Sequence, residues 1–135
     1  MLIFFHHSIF LSKTEYKSTH REILTAVMIM IKLGNTLILN ADTTYDPRTL
    51  DCTGLYPLTC GLSLRSTVTA SSIGDEGFTY CLQRSIYTLD GTELPPQEFN
   101  VFWSEKPAEL YPYLALVTLL LLCGVSTRVF EDLRF

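Results

Sequence analysis

Residues 110–127 read Leu110-Tyr-Pro-Tyr-Leu-Ala-Leu-Val-Thr-Leu-Leu-Leu-Leu-Cys-Gly-Val-Ser-Thr127, with no charged side chain among them. The fold assignment turns on this stretch. As an α-helix it would span about 27 Å, close to a bilayer hydrocarbon core of roughly 30 Å. Leu114, Leu116, Leu119, Leu120, Leu121, Leu122, Val117 and Val125 together favour insertion by on the order of 3 kcal/mol. Tyr111 and Tyr113 stand where an interfacial aromatic belt belongs, and Pro112 is tolerated in a first turn. Arg128 closes the far end with a side chain able to snorkel. No polar face appears between Leu119 and Val125, which argues against a core helix. The reading is a transmembrane helix over 110–127, anchored by Tyr111, Tyr113 and Arg128, with the lipid bilayer as its first partner. Leu114, Val117, Leu121 and Gly124 form one stripe at helical spacing, without a GxxxG motif. Cys123 reads as a small packing residue.

A second apolar block, 23–41, is weaker. Its nine strongly apolar residues favour insertion by about 3–5 kcal/mol, and Lys32 near its middle opposes them by roughly 2.5–3.5 kcal/mol. Gly34, Asn35 and Asn40 subtract further. The balance is near zero, so 23–41 is a candidate second span or signal anchor, with an amphipathic or core helix as the alternative. Lys32 would then need a partner inside the membrane. The tail before it, 1–22, has a short apolar run broken by His6 and His7, too short to span. Internal Met28 and Met30 offer alternative starts, and a fragment of a longer frame is another reading. Lys13, Lys17 and Arg21 on one side and Arg128 and Arg134 on the other place both termini inside by the positive-inside rule. If 23–41 does not insert, the chain is tail-anchored instead.

Between the blocks, 42–109 reads as an ordinary extramembrane region. It holds ten acids against four bases, within a chain of net charge −4. Basic residues are scattered singly, so nucleic acid is not an expected partner. The apolar pattern here changes to period 2: Leu62, Leu64, Val68 and Ala70; Phe78, Tyr80, Leu82 and Ile86; Phe99, Val101 and Trp103. Alternation of β-branched and aromatic residues predicts half-buried strands. Asp90-Gly91 is a hairpin turn signal, and Pro95-Pro96 marks an extended linker. The expectation is a small antiparallel sheet of three or four strands leading into the membrane helix.

Cys52, Cys60 and Cys81 lie in this region, an odd number. Cys60–Cys81 would tie two expected strands, or Cys52–Cys60 would close a short loop over Pro57, and either bridge would add about 2–4 kcal/mol to a small core. Three unpaired thiols are the alternative. Trp103, at the junction with the helix, reads as an anchor or core residue, and with Lys32 as a candidate partner contact. No CxxC occurs and the histidines are confined to His6, His7 and His20, so no metal or other cofactor is expected. No nucleophile elbow, phosphate loop or dinucleotide fingerprint is present, and no enzyme is expected.

The fold class expected is therefore an α+β membrane protein. It has a C-terminal transmembrane helix (110–127), a candidate N-terminal span (23–41), a small β region between them (42–109) and a short tail (128–135). The expected function is a non-enzymatic integral membrane protein, an accessory or structural subunit docking with another membrane protein in a larger assembly. The alternative is a membrane-anchored surface protein whose disulfide-containing β region binds a ligand or partner. Resemblance extends only to the general class of short membrane subunits.

Overall fold

A computed structural model describes residues 30–42 and 53–135. The apolar block around Lys32 is a β-hairpin. β1 (Met30–Leu33) and β2 (Thr36–Asn40) pair antiparallel, with Ile31 opposite Ile38 and Leu33 opposite Thr36. Gly34 and Asn35 make the two-residue turn, and Gly34 takes φ +58. A positive φ at the first central position suits glycine and matches the twist of a hairpin. The second span expected over 23–41 is thus corrected from residue 30 onward. The chain reverses at the very residues that weakened the membrane reading. Lys32 lies in β1, while residues 23–29, the tail 1–22 with its histidines, and Cys52 lie outside the described residues.

Six strands form one mixed sheet in the order β1-β2-β3-β4-β5-β8. β3 (Tyr56–Cys60) runs parallel to β2 along its whole length. β4 (Val68–Ser71) meets β3 at a single parallel pair, Cys60 with Val68. That stagger explains how so short a loop joins parallel neighbours, which ordinarily need a dozen or more linking residues. β5 (Gly77–Leu82) pairs antiparallel with β4 and with β8 (Gln97–Phe102). A separate two-stranded ribbon, β6 (Ile86–Tyr87) with β7 (Glu93–Leu94), turns at Asp90-Gly91. The all-antiparallel sheet of three or four strands is therefore corrected to a larger, mixed one. Leu62 and Leu64 leave the strand expected for them and stand exposed in the loop before β4. Gly77 is fixed by backbone crowding, because a Cβ there would come within 2.1 Å of the Val101 carbonyl oxygen.

The leucine-rich stretch is α1 (Tyr111–Leu122), a helix of 12 residues. Its length is about 18 Å, far short of a hydrocarbon core. Among the described residues, no helix is long and apolar enough to cross a membrane. The transmembrane helix expected over 110–127 is overturned, and with it the expected fold class of a small antiparallel β region leading into a C-terminal membrane helix. Gly124 supplies the physical reason. It adopts φ +83 just past the helix end. Val125 N–H returns to the Leu120 carbonyl and Gly124 N–H to the Leu121 carbonyl, a Schellman closure that stops the helix. Cys123 N–H bonds the Leu119 carbonyl, and Leu89 N–H bonds the Leu122 carbonyl. The orphaned carbonyls of Leu120, Leu121 and Leu122 at this helix end are thereby satisfied.

α1 covers one face of the sheet. Leu114, Val117, Leu121 and Leu122 are buried with Ile38, Leu58, Val68, Tyr80, Leu82 and Val101 in one cluster. Each fully buried leucine contributes about 1.5–3 kcal/mol. Leu116 and Cys123 face solvent. Leu37 and Leu39, on the opposite face of β2, are buried as well. β2 is thus covered on both faces, and its run Leu37-Ile38-Leu39 cannot alternate.

Aromatic rings line the β8 side. Tyr80 stacks on Phe99 and Phe99 on Phe130, while Trp103 lies between Phe78 and Tyr113. Tyr113 reaches Phe135 edge-on. α2 (Val129–Asp132) carries Phe130 into this cluster. The chain then bridges β8 at Phe102 and Arg134.

One polar contact pins α1 to the sheet. Thr118 is fully buried, and its hydroxyl donates to the Leu114 carbonyl at 2.7 Å. With that proton committed, Tyr80 donates its own to Thr118 Oγ1 at 2.8 Å. The Cys60 thiol lies 3.7 Å from the same oxygen and takes its second lone pair. Thr118→Val is expected to cost about 1–3 kcal/mol, because the buried Tyr80 hydroxyl loses its acceptor. Adding Tyr80→Phe should recover part of that loss. Denaturant unfolding of both singles and the double checks it; strictly additive costs would show that the hydroxyls do not depend on each other.

Candidate binding groove

The residues singled out from sequence do not converge. Cys60, Val68 and Leu82 share the helix-facing side through their register, whereas Cys81 pairs with Thr69 and Glu98 on the other side. β4 stands between the two cysteines, which sets them roughly 9–10 Å apart. A disulfide needs Cα atoms within about 7 Å and converging Cβ vectors. The expected Cys60–Cys81 bridge is corrected: Cys60 and Cys81 are both free and buried, and Cys123 is free and exposed. Burial pushes the Cys60 thiol up to about 12 and raises the Tyr80 phenol too. Burial also raises Cys81, whose sulfur contacts the Ser71 hydroxyl. Iodoacetamide at about pH 8 should therefore modify Cys123 ahead of Cys60 and Cys81, and reach Cys60 only on unfolding. Equal native-state rates, read by mass spectrometry, would contradict this placement.

Tyr111 lies buried at the start of α1, and Tyr113 packs on Trp103. Arg128 is exposed at the N-terminal end of α2. Trp103 is itself buried, its indole N–H donating to the Asp75 carbonyl at 2.7 Å. These aromatics serve the core.

The feature that does converge was not singled out from the sequence. A groove of about 580 Å³ opens at one end of the sheet, between the β1–β2 turn (33–36), Tyr56 at the start of β3, and Tyr87–Leu89, which run from the last residue of β6 into its turn. Tyr56 is 43% exposed, Tyr87 51% and Leu89 48%. They are three of the nine large apolar side chains that the described residues leave exposed. The lining is positioned by backbone. Tyr56 N–H donates to the Asn35 carbonyl at 2.6 Å, tying β3 to the turn. Leu89 N–H is held by the end of α1, and the Leu89 side chain passes Gly34.

The β6–β7 turn is braced by its own side chains. Thr88 N–H donates to the Thr92 carbonyl, and Thr92 N–H to both Thr88 Oγ1 and Asp90 Oδ1. The Thr88 hydroxyl donates to Asp90 as well. These donors, the Thr88 hydroxyl first, hold the Asp90 carboxyl below its ordinary value. Ile86 points into the core and Tyr87 away from it, the period of a strand. That alternation beside the Asp90-Gly91 turn was the sequence signal available for the groove.

Among the described residues, no group of three or more metal-ligating side chains comes together, and no Asp, Glu, Lys, Arg or His is among the residues lining the groove. What the groove offers is two phenols, the exposed Asn35 amide and an aliphatic wall. That set suits reversible docking. No family model, curated protein or solved structure matches this chain.

Proposed function

We propose that this chain is a non-enzymatic accessory subunit that docks a partner in the groove at the end of its sheet. The observation that carries the reading is the convergence of Tyr56, Tyr87 and Leu89, exposed on backbone that is already fixed. Tyrosine supplies large amphipathic contact area at low entropic cost and dominates binding hot spots. A pre-positioned site also spares the ordering cost of binding. The alternative of a surface module held by a membrane helix and a disulfide loses both supports, since α1 is a core helix and Cys60 and Cys81 are apart.

Random-peptide display against the full chain tests it. Enriched peptides should bind Tyr56→Ser and Tyr87→Ser at least about tenfold more weakly, with unchanged unfolding midpoints. No enrichment, or full binding to both variants, overturns the reading.

A further inference from the structure

The chemistry of the docked partner can be read from the rim of the groove. In the β6–β7 ribbon Tyr87 stands directly opposite Glu93. Opposed residues of an antiparallel pair project from one face, with Cβ atoms about 4.5–5.5 Å apart. Ile86 and Leu94 point the other way, toward the core. The Glu93 carboxylate is therefore one side-chain length from a ring that lines the groove. Asp90 puts a second carboxylate at the tip of the same ribbon. Among the described residues, Lys106 pairs with Asp75 elsewhere, and neither Glu93 nor Asp90 has an ion-pair partner.

An uncompensated carboxylate beside an exposed phenol face recognises a cation, through charge and through the ring quadrupole. The rest of the lining supplies donors: the phenol hydroxyls and the Asn35 amide. Such donors suit the free carbonyls of an extended chain, whereas a helix spends its carbonyls internally. A polyproline-II segment keeps every carbonyl free, packs its rings on aromatic walls and has little conformational freedom left to lose.

We propose that the groove takes an extended, proline-bearing peptide with a lysine or arginine beside the prolines, the cation seated between Tyr87 and Glu93. This rests on the groove being the docking site. A neutral glycan would use the tyrosine faces but gain nothing from two carboxylates, and an anionic partner would be repelled.

Fluorescence anisotropy with the full chain and labelled synthetic peptides tests the assignment. The probes are an arginine-flanked proline-rich peptide, its arginine-to-glutamate counterpart, its proline-to-alanine counterpart and an uncharged oligosaccharide. The arginine peptide should bind about tenfold or more tightly than either counterpart, and more weakly as salt rises. Glu93→Gln should weaken it by about three- to tenfold while leaving the unfolding midpoint unchanged. Equal binding of the glutamate peptide, or indifference to Glu93→Gln, overturns the cation seat. The docking groove itself survives that result if Tyr56→Ser and Tyr87→Ser still lose binding. Binding untouched by both tyrosine variants overturns groove and cation seat together. Binding of the oligosaccharide and of no peptide overturns the peptide assignment.

Discussion

Leu121→Lys is expected to leave the protein largely unfolded at neutral pH, while Leu116→Lys leaves it folded. The two leucines lie on one helix, but Leu121 is 1% exposed and Leu116 38%. A lysine at a buried site has its pKa lowered by several units, so at pH 7 it must be either desolvated or neutralised. Either way the cost is about 4–5 kcal/mol, before any loss of packing is counted. A domain of this size has about 5–15 kcal/mol of total stability. At Leu116 the lysine stem lies along the surface and the ammonium reaches water. Circular dichroism and the unfolding midpoint of each variant read the outcome. Two equally damaged variants would fit a helix surrounded by lipid, where both lysines are expensive. The reverse order would put the wrong face of α1 against the sheet.

Trp103→Ala should cost about 3–5 kcal/mol. The indole fills the space between Phe78 on β5 and Tyr113 on α1. Its N–H also fastens the loop ahead of β5 through the Asp75 carbonyl. Trp103→Phe keeps ring contacts and should cost less, about 1–2 kcal/mol, from lost volume and the missing hydrogen bond. Chemical denaturation separates the two. A cost below about 1 kcal/mol for the alanine variant would mean that the ring is not the keystone of this end of the core.

How far the sequence disclosed the fold depended on how many faces of each element are covered. β5 and β8 were legible: Phe78, Tyr80, Leu82, Phe99 and Val101 face the helix while their neighbours face away, and period 2 follows. The Asp90-Gly91 turn was equally plain, because a turn needs only local chemistry. β2 is covered on both sides, so its apolar run carried no period and joined the neighbouring strand into one apparent span. Gly34-Asn35 then counted as a penalty against insertion, when it was the reversal of the chain. α1 misled for a related reason. Leu119 and Leu120 are half-buried at its flanks, so few positions meet water and no polar face develops. Insertion energies summed over 110–127 cannot register that Gly124 ends the helix. Thr118, one hydroxyl in an uncharged run, is identifiable as a pin only once Tyr80 is known to lie against it. Of the groove, only the outward-facing Tyr87 beside the Asp90-Gly91 turn left a trace in the sequence, since residues 33–36, 56 and 87–89 meet only through the sheet.

The hydrogen bond from Leu89 N–H to the Leu122 carbonyl joins the groove wall to the last turn of α1. Neither partner can open alone without leaving a polar group stranded. Lifting the hairpin exposes a helix carbonyl, and fraying the helix releases the hairpin. The two segments should therefore exchange their amide hydrogens as one cooperative unit. The Leu89 amide becomes a resident reporter: any occupant that steadies the hairpin should slow its exchange and that of the last turn of α1 together. Recognition at one end of the sheet would thus be audible in the packing of the core.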